Sequence, residues 1–209
     1  MPRATDTRLK ILEVAETEFA TEGFAGAHLQ KIAEQVGVRK TALYYYFESK
    51  SALYTAVLAE ILEEFDRTVA AAVEADETPE RRLLRVIANV NDLLAERRNY
   101  GPILVRVFVD RSPIEAAELI PIVERVVGRV MRFYSEGRDA GAFRRISSRH
   151  VFMSVLGMTV LHYAAPGFSA RILGVDDVFT RPAVTWRRDE VTALLARGVL
   201  ARDPDPDLS

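Results

Sequence analysis

The window Leu29–Phe47, LQKIAEQVGVRKTALYYYF, leaves the chain few ways to fold. Ala33 is small, Gly37 follows four residues later, and Ile32, Val36, Val38, Leu43 and Tyr46 place apolar side chains at fixed offsets around them. Two short helices that cross steeply need all three features. A small residue lets the backbones meet, a glycine accepts positive φ in the turn, and the apolar side chains hold the pair together. The spacing therefore predicts a helix-turn-helix whose second helix runs from about Arg39 to Phe47. On that helix Leu43, Tyr46 and Phe47 share one face at i, i+3, i+4, where Ile32 and Leu53 can cover them. Lys40 stacks with Tyr44, and Thr41 with Tyr45, on the other side. An outward tyrosine pair beside a lysine suits a surface for phosphates and base edges. The competing reading packs both rings against a neighbouring helix.

Elsewhere the apolar residues also recur at helical spacing, and no strand pattern or repeat emerges. Leu12, Ala15 and Phe19 form one stripe, with Thr5 or Asp6 as a predicted N-cap and Gly23 as a stop. Ser49 is a predicted cap for a long helix carrying Leu53, Val57, Ile61 and Phe65. Leu83, Ile87, Val90 and Leu94 mark a further helix, ended by ERRN and Gly101-Pro102, and a short piece follows around ILVRVFVD. Leu119, Val123, Val126, Val130 and Tyr134 mark a long one. The segment 148–165 is apolar on almost every face, PGFSARILGVDDVFTRP reads as a loop, and Val184, Val191, Leu194, Leu195 and Val199 define a last helix. The fold class is all-α.

Composition narrows the chemistry. The 209 residues contain no cysteine, which removes disulfides, thiolate metal sites and cysteine nucleophiles. Net charge is −2, yet all four lysines fall at Lys10, Lys31, Lys40 and Lys50, around the predicted helix-turn-helix. That distribution suits one DNA-facing patch on a larger neutral body. The three histidines have no metal-ligand spacing, so no metal and no cofactor are expected. The N-terminus lacks the apolar block of a signal peptide and no stretch is long enough to span a membrane, so the cytoplasm is the expected compartment. No G-x-S-x-G, H-E-x-x-H or phosphate-binding glycine loop supports an enzyme.

From about Arg8 to Leu58 the sequence resembles the tetracycline-repressor (TetR) family of bacterial transcription regulators. The likeness rests on the A-x-x-x-F-x-x-x-G-F entry, the I-A-x-x-x-G-V helix-turn, the L-Y-x-Y-F-x-x-K exit and the leucine three residues beyond that lysine. The resemblance implies an N-terminal three-helix DNA-binding domain, residues 1–66. A long helix joins it to a helical ligand-binding and dimerisation domain, residues 67–209. Carried over by position, it makes Arg39, Lys40, Thr41, Ala42, Tyr44 and Tyr45 the DNA-facing residues, and Lys50 a phosphate contact. Two positions depart from the family pattern. Ala27-His28 replaces the usual hydroxyl pair before the second helix, and Arg39 replaces the serine that caps the recognition helix. A lost hydroxyl cap costs typically ~1 kcal/mol. Arg39 compensates if it holds a phosphate, and His28 is a further phosphate candidate.

The remaining expectations concern the second domain. The all-round apolar segment 148–165 must be covered on more than one side, which suggests a partner chain. The resemblance likewise implies a homodimer, here assigned to Phe152, Val155, Val191, Leu194 and Leu195. Such a dimer reads a palindromic operator in double-stranded DNA, because two symmetric recognition helices meet half-sites a fixed distance apart. The resemblance also implies a small-molecule effector that releases the repressor. Asn91 interrupts an apolar stripe and points inward; Phe108, Val127, Met131, Tyr134, His162 and Tyr163 are the other candidates for lining its pocket. Their apolar character points to a hydrophobic or amphipathic effector. A constitutive architectural DNA-binding protein, and behind it a helical enzyme, are the alternatives.

Overall fold

The computed structural model describes residues 4–109 and 116–201. Ten helices occupy the described residues: α1 Ala4–Gly26, α2 Leu29–Val36, α3 Lys40–Tyr46, α4 Lys50–Val73, α5 Pro79–Glu96, α6 Tyr100–Val109, α7 Ala116–Asp139, α8 Ser148–Ala164, α9 Pro166–Leu173 and α10 Arg181–Val199. Helix α1 already includes residues 5 and 6, so neither caps it. Gly23 interrupts it with φ 71°, ψ 177°, a conformation that favours glycine, and helical structure resumes only to Gly26. Ser49 caps α4 as expected, its hydroxyl accepting from the Ala52 amide at 2.9 Å.

Helices α1 to α3 close over Ile11, Ala15, Phe19, Ile32, Ala33, Leu43, Phe47, Leu53 and Val57, all buried. This cluster continues without a break into Val90, Leu94, Tyr100, Ile103, Leu119, Val160 and Tyr163, and α4 runs unbroken through residue 66. Asp66 anchors α4 to α7 by accepting from Arg125 at 2.8 Å and Arg129 at 3.2 Å. Burial pushes its carboxyl up, but those two guanidinium groups outweigh burial and hold it below its ordinary value. Helix α5 lies between α4 and α10, and α6 bridges α1 and α8.

A second buried cluster joins Leu83 and Ile87 of α5, Phe133 and Tyr134 of α7, Phe143, and Val191, Leu195 and Val199 of α10. Phe143 meets Leu200 in a backbone bridge that pins the α7–α8 connection against the end of α10.

Three expectations are corrected here. Gly101-Pro102 does not end α5, which stops at Glu96; it opens α6, where proline sits in the first turn and no helical bond to its missing amide is needed. The segment expected to be a loop contains α9, with Pro166 at its start and Gly174 (φ 67°) as its left-handed C-cap, leaving only 174–180 irregular. In α7 Ile122 is buried and Val123 is exposed, so the apolar stripe is one residue out of register there.

Candidate nucleic-acid interface

Gly37 ends α2 with φ 84° and ψ 31°, and its amide reaches the carbonyls of Ala33 (3.0 Å) and Glu34 (3.1 Å). The Val38 amide returns to the Ala33 carbonyl at 2.9 Å. Ala33 is fully buried, so α3 crosses where a larger side chain would stand. Leu43 and Phe47 fix α3 to this corner, while Tyr46 is half-buried. The Arg8 guanidinium covers the Phe47 ring at 5.2 Å.

The opposite face of α3 is bare. Tyr44 is 48% exposed and Tyr45 83%, and Tyr45 meets Tyr46 edge-on at 5.2 Å. Arg39, Lys40 and Thr41 are exposed and Ala42 half-buried. Arg39 occupies the N-cap in extended conformation and its side chain makes no cap bond. Among the described residues neither Arg39 nor Lys40 has an acidic partner.

The other cations near this corner are engaged within the chain. Lys10 donates to the Val36 carbonyl at 3.2 Å. Lys31 pairs at 2.6 Å with Glu18, a buried carboxylate that also accepts from the His28 amide at 3.3 Å. The sequence reading missed Glu18; a carboxylate directly before Phe19 of the buried stripe was the available signal. Lys50 donates to the Ala25 carbonyl at 3.2 Å and sits 4.9 Å above the Phe24 ring; burial holds its ammonium below the ordinary value. His28 is exposed at the N-cap of α2 with no side-chain cap bond.

The candidates for an effector site fall into two groups. Asn91, His162 and Tyr163 come together between α5, α8 and α10. The Tyr163 hydroxyl donates to Asn91 Oδ1 at 3.0 Å, and Asn91 Nδ2 reaches the Val184 carbonyl at 3.4 Å. His162 meets Tyr163 edge-on at 4.6 Å. Burial and then the Asp92 charge push Tyr163 up to about 12, against the opposing pull of Arg187, the Asn91 bond and Arg188, while burial and Arg187 hold His162 down to about 4. Tyr134 belongs to the other cluster: its ring stacks on Phe143 at 5.2 Å and its hydroxyl donates to the Arg144 carbonyl at 3.0 Å. Val127 and Met131 are half-buried on α7; the Phe108 side chain lies outside the described residues. A cleft of about 510 Å³ is lined by Arg138, Asp139, Arg145, Ile146 and Ser147, and no effector candidate contributes to it.

Among the dimer candidates, Leu194 is 62% exposed, Phe152 and Val155 are half-buried, and Val191 and Leu195 turn into the chain's own core. Met153 and Leu161 on α8 and Trp186 on α10 are also exposed. Among the described residues no cluster of metal-ligating side chains forms, and no single helix is long and apolar enough to cross a membrane.

Residues 11–57 match the profile of the family described as bacterial regulatory proteins, tetR family. The transcriptional repressor DhaR of Mycobacterium sp. (strain GP1) is 30% identical over 145 residues, 68% of this chain and 72% of that protein. The transcriptional regulator RutR of Escherichia coli K12 is 52% identical over 62 residues, 29% of each chain. The transcriptional regulator FadR of Bacillus subtilis, solved in complex with stearoyl-CoA, superposes with a TM-score of 0.71 at 19% identity, covering 91% of this chain and 98% of that one.

Proposed function

Because the chain belongs to the tetR family of bacterial regulatory proteins, we propose that it is a homodimeric repressor that binds a palindromic operator through α3 and is released by a small amphipathic effector. It is a DNA-binding transcriptional regulator, in a family of regulators rather than enzymes. The division at residue 66 assigns DNA to 1–66 and the effector and dimer to 67–209, in the cytoplasm with the chromosome it regulates. The observation that carries the DNA reading is the bare face of α3. Tyr44 and Tyr45 stand in solvent beside two cations that have no acidic partner among the described residues, on a helix held from behind by Leu43 and Phe47. Thr41 and Ala42 lie between them, within reach of base edges. Lys50 and His28 flank the face as phosphate contacts; Lys50 exchanges its bond to the neutral Ala25 carbonyl for one to an anionic phosphate oxygen.

Asn91, His162 and Tyr163 support an effector site in the second domain, since buried polar groups there give an apolar molecule something to orient against. FadR's complex with stearoyl-CoA, on the same fold, supports the same reading.

Selection from a randomised duplex pool tests the DNA reading. An inverted repeat should be recovered, and binding should weaken steeply with salt as phosphate contacts release counterions. Lys40→Ala and Tyr45→Ala should each lower affinity by ~5- to 30-fold, equivalent to about 1–2 kcal/mol, with unchanged thermal unfolding. Unaltered affinity in both variants would remove α3 from the interface.

A further inference from the structure

Arg187 and Arg188 are neighbours on α10 with opposite surroundings. Arg188 pairs with Asp92 at 3.0 Å and Asp189 at 3.6 Å. Arg187 turns to α8, where one Nη donates to the Met158 carbonyl at 2.7 Å and the buried Nε finds no acceptor. Among the described residues no carboxylate pairs with it. One turn along α8 from Met158, His162 is only 7% exposed, and its Nε2 is also buried without a partner. Two buried polar atoms without a partner among the described residues thus lie on the two helices joined by the Arg187–Met158 bond. Burial holds the guanidinium below its ordinary value, as expected for a cation without a counter-ion.

Both orphans are costly. A buried donor left unmade costs about 1–3 kcal/mol; the Arg187 side chain as a whole is half-buried, and it is its Nε that is closed off. Such groups are rare in folded proteins. Arg82 Nε and Thr192 Oγ1 are also unpartnered among the described residues. Arg187 and His162 differ in lying beside the Asn91–Tyr163 pair, where one occupant with an acceptor would satisfy both. The Nε edge of a guanidinium matches the two coplanar oxygens of a carboxylate. In Arg187 the Nη on that edge already gives one N–H to the Met158 carbonyl, which leaves Nε–H and that Nη's second N–H. The neutral His162 ring can supply a further N–H, and the Tyr163 ring, set against Phe179 at 5.7 Å, offers an apolar wall beside them.

We propose that Arg187 and His162 form the acid-binding end of the effector site, so that the effector is a small organic acid with an apolar body. Its carboxylate lies on the Nε edge of Arg187 and accepts from the His162 ring. The proposal rests on the reading of the chain as an effector-controlled regulator, and it names the effector's chemical class. Both orphaned atoms are closed to water in this structure. An acid therefore enters only as α8 and α10 part locally, and it stabilises an arrangement other than the one described. Release by an effector requires that kind of differential binding.

Trp186, the single tryptophan, adjoins Arg187 and reports on it by fluorescence. The full chain is titrated with octanoate, dodecanoate, benzoate and phenylacetate, with the primary alcohol matching each acid, and with inorganic phosphate. Operator binding is followed in parallel. At least one acid should bind ~10-fold or more tightly than its alcohol and than phosphate, and should weaken operator binding. Arg187→Met should remove that preference and Arg187→Lys restore it only in part, since an ammonium lacks the flat two-donor edge. The acid-against-alcohol comparison in the unaltered protein holds even if a variant fails to fold. Equal binding of acids and alcohols, tighter binding of phosphate, no response to any acid, or an undiminished preference in a folded Arg187→Met overturns the proposal. Operator binding that persists without an acid response overturns this proposal alone; absence of specific operator binding overturns the regulator reading beneath it.

Discussion

At Arg39 the sequence and the structure raise the same question. The position that usually carries a capping hydroxyl holds a long cation, and its side chain makes no cap bond. Arg39 therefore supplies no cap to the first amides of α3, and its exposed guanidinium is available for the proposed phosphate contact. His162 shows the opposite treatment of a polar side chain. Burial and Arg187 hold its ring down to about 4, below the 6.5 of an unperturbed histidine, so it is neutral in the folded state. The unfolded chain takes up that proton near pH 6.5 and the folded chain only near pH 4. Stability is thus lost as pH falls through this window, with no further contribution below it. Replacing His162 with Gln should reduce the acid sensitivity of thermal unfolding between these limits, by up to about 3 kcal/mol. Parallel unfolding curves for variant and wild type across the window would contradict this.

Helices α6 and α8 illustrate how one small residue fixes an element's place. A Cβ at Gly101 would stand 2.8 Å from the Ala164 nitrogen and the Tyr163 carbonyl carbon, both backbone atoms that cannot rotate aside. Gly101 therefore sets how closely α6 approaches α8, beside the Asn91–Tyr163 bond. Gly101→Ala should destabilise the fold by about 1–3 kcal/mol as an overpacked contact, measurable by denaturant unfolding; a neutral effect would mean that α6 yields freely. The same helix reaches back to α1, where the Arg106 guanidinium donates to the Thr21 carbonyl at 3.0 Å. The preceding turn adds Asn99, which donates to Glu16 at 2.9 Å. Burial raises the Glu16 carboxyl against that bond. A shift at the Tyr163 end of α6 thus has a bonded path to α1.

For the whole molecule, the exposed apolar side chains are where the proposed second copy would sit. Met153 and Leu161 lie two turns apart on α8, with Trp186 and Leu194 on α10, each exposed by two-fifths or more. Charge at Leu161 and Leu194 should convert dimer to monomer in analytical sedimentation without unfolding it. The double variant Leu161→Glu, Leu194→Glu remaining dimeric would place the interface elsewhere. Leu195 is a poor probe, since it is buried in the chain's own core and a charge there would disrupt folding.

The helix-turn-helix was legible because its determinants are local. Ala33, Gly37 and the apolar offsets act within a few turns, and helical periodicity alone separated Leu43 and Phe47 from Tyr44 and Tyr45. Ser49 was legible for the same reason, because a cap acts on an amide three residues away. The second domain is organised by contacts distant in sequence, which no local pattern announces. Val191 and Leu195 have the apolar character of an interface, but the approach of α5 and α7 turned them inward. Tyr134 and Asn91 looked equally suited to a pocket until Phe143 drew the tyrosine into another cluster. Arg187 interrupts the apolar stripe between Val184 and Val191, a signal available in the sequence. Only the packing of α10 on α8 decided that its Nε would be buried without an acceptor among the described residues, because burial is a property of the assembled helices and not of any one of them.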